Sequence, residues 1–155
     1  MRIDRASRLI GAPISVVYRA LTNRNAVERW LPPEGARGIV EAFDPQPGGA
    51  FRITLVFDTP GESGARKSSR MTDIVDGQFV DLVPEELVRQ RFTFRSDDPA
   101  FAGLMTMTWR LTSKEGGTEV EVSAENVPAG ISAHDHQLGM DSSLQNLANF
   151  VTERR

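Results

Sequence analysis

His134 and His136 are the only two imidazoles in the chain, and they stand two positions apart. On a helix that spacing sends the rings to different sides, whereas a zinc site on one helix uses histidines four apart, so no metal ligation is expected. His136 is the best available general base, but nothing near it in the sequence orients its ring, and no catalytic residue is assigned. The absence of cysteine removes disulfides, thiolate nucleophiles and thiolate metal sites. No glycine-rich phosphate loop or paired-carboxylate signature is present, and no cofactor is expected. Arg89, Arg91 and Arg95 alternate along one segment like a nucleic-acid stripe. Alternation turns Phe92 and Phe94 to the opposite face, where they cannot stack bases beside the arginines, and an ion-paired outer face near Asp81 is expected instead. The net charge of −3 likewise excludes general attraction to nucleic acid or to an anionic membrane.

The 155 residues correspond to a single domain spanning 1–155. A chain of this size buries about 68 to 70% of its unfolded surface, enough for a real core. The apolar stretch Leu9 to Leu21 is interrupted by Pro13, Ser15 and Arg19, and no apolar run approaches the roughly 18 residues of a membrane span. A soluble, unprocessed, cytoplasmic protein is the expectation, and oligomeric state is left open. Lys67 and Lys114 are the only lysines among 18 basic residues, a skew that GC-rich bacterial genomes produce.

Helical periodicity occurs in two places. Ile14, Val17, Tyr18 and Leu21 form one stripe behind Pro13, which suits a first helical residue; Asn23 caps a second short helix carrying Ala26, Val27 and Trp30, ended by Pro32 and Pro33. Near the C-terminus, Ser132 and Asp135 make a capping-box variant before about five helical turns. There Ala133, Gln137, Met140, Leu144, Leu147 and Val151 are expected to face inward, and Asp135, Asp141, Ser142, Gln145 and Glu153 outward. Arg154 and Arg155 suit the negative end of the helix dipole.

Between the helices the period is two, as in an antiparallel meander of about six strands. A hairpin at Lys114 to Gly117 pairs Leu111 with Val120, Arg110 with Glu121 and Trp109 with Val122, putting hydrophobes on one face and charges on the other. A turn at Asp44 to Gly49 pairs Val40 with Ile53, Ala42 with Phe51 and Glu41 with Arg52. A third turn, Leu82 to Leu87, brings Asp81 opposite Arg89, while Gly77 marks a bulge or bend and the facing of residues 69–83 stays open. Asp58 to Ser69 is the most loop-like segment. The order is strand, helix pair, strands, long helix.

Ala12-Pro13-Ile14 with Val17-Tyr18-Arg19-Ala20-Leu21-Thr22, then Trp30-Leu31-Pro32-Pro33, Gly48-Gly49-Ala50-Phe51, Val83-Pro84-Glu85-Glu86-Leu87-Val88 and the closing helix follow in an order that resembles the homologues of the heat-shock-protein-90 ATPase activator. These belong to the START-like (SRPBCC) helix-grip superfamily, and the resemblance covers essentially the whole chain. It implies an α+β helix-grip fold, with a curved antiparallel sheet of about six to seven strands around the long C-terminal helix and an apolar cavity between them. The eukaryotic co-chaperone of this family carries a further N-terminal domain that engages the chaperone and lies outside the resemblance. Relatives commonly place an aromatic where this chain has Gly139 and Met140, which implies a wider cavity here.

The strand pairings put Phe51, Ile53, Leu55, Phe92, Met105, Met107 and Trp109 on the inner face, opposite Met140 and Leu144. Methionine suits surfaces that accept varied apolar shapes. Gln90 and Gln137 are the inward polar groups expected to orient a ligand, Tyr18 extends its hydroxyl toward the mouth, Trp30 lids it, and His136 reaches the cavity edge. The expected function is binding of a small apolar or amphipathic molecule without chemistry. The alternatives are a cyclase- or hydratase-like enzyme, which would use His136, and a chaperone-linked interaction module.

Overall fold

In the computed structural model, which describes residues 2–32, 35–57 and 72–153, alternation and helical periodicity resolve into seven strands and three α-helices. Strand β1 (Ile3–Ile10) leads into α1 (Ile14–Thr22) and α2 (Arg24–Trp30). Strands β2 (Ala36–Phe43), β3 (Ala50–Phe57), β4 (Thr72–Val83), β5 (Leu87–Phe94), β6 (Met105–Lys114) and β7 (Gly117–Glu125) follow, before α3 (Ala133–Thr152). They form one antiparallel sheet in the order β1-β7-β6-β5-β4-β3-β2, so the meander runs from one edge and the first strand closes the other. This is the α+β helix-grip arrangement. Pro33, the Asp58 to Ser69 segment, Met71, Arg154 and Arg155 lie outside the described residues.

Local chemistry sets the helix ends. Asn23 Oδ1 accepts from Ala26 N at 2.9 Å and Ser132 Oγ from Asp135 N at 3.0 Å, so both expected caps form. Pro13 is the cap residue of α1, one position before the helix, with its carbonyl accepting from Val16 and Val17. Helix α2 is tied to the sheet edge: Glu28 accepts from Val40 N at 2.8 Å, and Arg24 donates to Val40 O. An edge strand that would otherwise expose these groups is covered, and Trp30 is held in place as a result.

Register matches expectation at the β6–β7 hairpin, where Leu111 faces Val120, Arg110 faces Glu121 and Trp109 faces Val122. Asp81 faces Arg89 and binds it at 2.5 Å; Arg95 binds Asp76 at 3.0 Å, so two of the three strand arginines are ion-paired on the outer face. The β2–β3 pairing is corrected. Val40 opposes Ile53 as expected, but a bulge at Glu41 shifts the next pairs to Ala42 with Arg52 and Phe43 with Phe51. Arg52 turns instead to Asp76 on β4, at 2.5 Å. Gly77 is neither bulge nor bend, since it pairs in register with both Phe51 and Phe92, and the β4 irregularity lies between Phe79 and Asp81. A Cβ at Gly77 would lie 2.3 Å from Arg91 O and 2.8 Å from Phe51 Cζ. The missing side chain lets Phe51 and Phe92 meet across β4, ring centroids 6.1 Å apart.

Helix α3 packs mainly on β1, α1 and α2. Its buried stripe is Met140, Leu144, Leu147 and Ala148, while Ala133 and Gln137 are exposed. The inward face at its first turns runs through His136 rather than Gln137, because successive helical positions differ by about 100°.

Candidate functional site

The strands β3 to β6, the far wall formed by α3 and the closed end formed by α2 enclose a cavity of about 450 Å³. Alternation supplies its sheet side: Phe51, Ile53 and Leu55 from β3, Val88, Gln90, Phe92 and Phe94 from β5, and Met105, Met107 and Trp109 from β6. Helix α3 contributes His136, Gly139, Met140 and Ser143, and Ile131 enters from the preceding loop. Trp30 closes one end. It is 3% exposed, stands edge-on to Trp109 with ring centroids 5.6 Å apart, and donates its indole N–H to Ala20 O at 2.9 Å. It is therefore an inner wall tied to α1 and not a lid at the mouth.

Three of the residues named from the sequence lie elsewhere. Leu144 is 1% exposed and packs in the core behind the cavity. Gln137 is exposed and donates to Asp141 at 3.2 Å, one turn along α3. Tyr18 packs against the core from α1, where burial pushes its phenol above the usual range, and it does not line the cavity.

Polar groups are few in this apolar wall. Gln90, half-buried, has no protein hydrogen bond from its side-chain amide among the described residues. Asp73, 6% exposed on β4, lines the same space and escaped the sequence reading because that strand's facing was left open. Its position six residues before the fully buried Phe79 is the signal that could have placed it, since strand residues of like parity share a face. Asp135 and Ser142, expected to face outward, also line the cavity.

His136 has the orienting partner that its sequence neighbourhood lacks. Its Nδ1 lies 2.8 Å from Asp4 Oδ2 on β1, with the two side chains 12% and 10% exposed. Asp4 is also held by Arg2, at 3.2 Å from Nε to each carboxylate oxygen and 2.8 Å from Nη2 to Oδ2. Hydrogen bonding from Arg2, opposed by partial burial and reinforced by His136, holds the Asp4 carboxyl below the usual carboxylate range. Ring and carboxylate are thus braced from the sheet edge. Among the described residues no group of three or more metal-binding side chains exists, and no helix is long and apolar enough to cross a membrane.

Comparison with curated proteins returns no match. Among solved structures, a protein from Chromobacterium violaceum is 30% identical over 98% of both chains, with a TM-score of 0.84. One from Mesorhizobium loti is 19% identical over 99% of both, TM-score 0.75, and the AHSA1-like protein from Aeromonas hydrophila is 16% identical over 99% of this chain and 98% of its own, TM-score 0.72. The last two likenesses are of fold alone. The family model described as "Activator of Hsp90 ATPase homolog 1-like protein" matches residues 11–152, and the chain belongs to that family.

Proposed function

We propose that this protein binds a small apolar or amphipathic molecule in the cavity between the sheet and α3. The observation that carries this reading is a space of about 450 Å³, within the usual range of ligand sites, whose apolar wall holds a Gln90 amide with no hydrogen-bond partner among the described residues. A close-packed core has no such space, and the half-buried Gln90 amide can orient a polar group on the molecule that fills it. Burying about 300 Å² of apolar ligand surface is worth roughly 7 kcal/mol before association costs, enough for weak to moderate affinity.

A thermal-shift panel of fatty acids, sterols, flavonoids and polycyclic aromatics tests it. A ligand at about 100 times its Kd adds about 2.7 kcal/mol, or about 5 to 10 °C at this size. A reproducible rise for one chemical class supports the reading. No rise across the panel overturns it.

A further inference from the structure

His136 is the cavity's only imidazole, and its surroundings specify what it can bond. An ionised carboxylate offers only lone pairs, so the 2.8 Å contact with Asp4 requires the ring proton on Nδ1. Asp4 is kept in that role by Arg2, which engages both of its oxygens. Nδ1 is thereby committed to β1, and no described protein group bonds Nε2. His136 lines the cavity, and with its proton on Nδ1 an uncharged imidazole offers Nε2 there as a hydrogen-bond acceptor in a mostly apolar wall.

We infer that the cavity selects a small aromatic or alicyclic hydroxyl compound, whose O–H donates to His136 Nε2 while Asp4, as a positioning residue, fixes the tautomer that accepts it. This rests on the ligand-binding reading above. A hydrocarbon of the same shape fills the cavity equally but leaves Nε2 unpaired, which amounts to about a ten-fold difference in affinity.

Calorimetric titration of the full chain at pH 8 with 2-naphthol and with 2-methylnaphthalene, which differ by hydroxyl for methyl, reads that ratio directly. The wild type is expected to favour the naphthol about ten-fold, His136→Phe to bring the ratio to about one, and Asp4→Asn to reduce it. Nitrogen-15 NMR of the two histidines supplies a readout that does not depend on the variants folding. The wild-type His136 Nε2 resonance should move with naphthol and not with methylnaphthalene, and Asp4→Asn should give a mixture of tautomers. A wild-type ratio near one, a ratio unchanged in His136→Phe, or an unmoved Nε2 resonance overturns the inference while leaving the cavity reading intact. Failure of the wild type to bind either compound overturns the inference, and the cavity reading falls with it only when the thermal-shift panel is also flat.

Discussion

Asp4 Oδ2 and His136 Nδ1 meet at 2.8 Å across 132 residues of chain, joining the first strand to the first turn of the last helix. The contact connects the sheet edge, the helix that roofs the cavity and the one imidazole in its wall. It also makes stability depend on pH.

The Asp4 carboxyl is held below the usual range by Arg2 and then by His136, so the folded state binds its proton less tightly than the unfolded chain, where aspartate titrates near about 3.9. The resulting stabilisation is complete above that value and is lost as pH falls through the lower folded one. Urea midpoints measured from pH 7 to pH 3 should therefore drop below about pH 4 in the wild type, and Asp4→Asn should flatten part of the drop. Parallel profiles for the two proteins would contradict this assignment.

Among the described residues the Gln90 side chain makes no protein hydrogen bond that its replacement would lose. Gln90→Leu should hold or raise the denaturation midpoint, by up to about 1 kcal/mol, while weakening ligands that carry a polar group relative to those that do not. A clear loss of stability in the unliganded protein would show that the amide has an internal role.

At Gly139 a Cβ meets no heavy atom within 4 Å, although the position borders the cavity. Gly139→Ala should stabilise the helix by about 1 kcal/mol. Gly139→Trp should place an indole in the space and weaken ligand binding at least ten-fold while the protein stays folded by circular dichroism. Undiminished binding in the tryptophan variant would locate the ligand elsewhere.

Gly77 is the opposite case. Its absent side chain is where Phe51 and Phe92 touch, and Gly77→Ala drives a methyl to 2.3 Å from a carbonyl oxygen on β5 and 2.6 Å from Phe92 Cβ. A loss of about 3 kcal/mol or more is expected in chemical denaturation, since neither backbone nor packed ring can give way cheaply. A loss below about 1 kcal/mol would mean that the sheet is more compliant there than this packing implies.

Much of the fold was legible because its causes are local. The Asn23 and Ser132 caps, the stripe on α1 and the β6–β7 register all follow from side chains within one turn of helix or one short hairpin. The β2–β3 register was half legible: Val40 and Ile53 pair as expected, but the bulge at Glu41 displaces the next residues, and Arg52 finds Asp76 on a strand whose facing the pattern left open. Gly77 looked like a break in β4 and is instead a packing site, a distinction that requires knowing which rings lie beside it.

The cavity wall divides the same way. Alternation alone assigns Phe51, Ile53, Leu55 and the β6 methionines to one face, because strand geometry sends every second side chain the same way. Whether that face is filled or lined depends on where α3 lies. It rests toward β1, leaving space over β3 to β6, and so it brings His136 inward, turns Gln137 to solvent and leaves Leu144 behind the wall. The Asp4–His136 contact belongs wholly to this second level. Periodicity reports the faces of single elements, whereas a pair 132 residues apart forms only when the sheet order puts β1 at the edge beneath the helix.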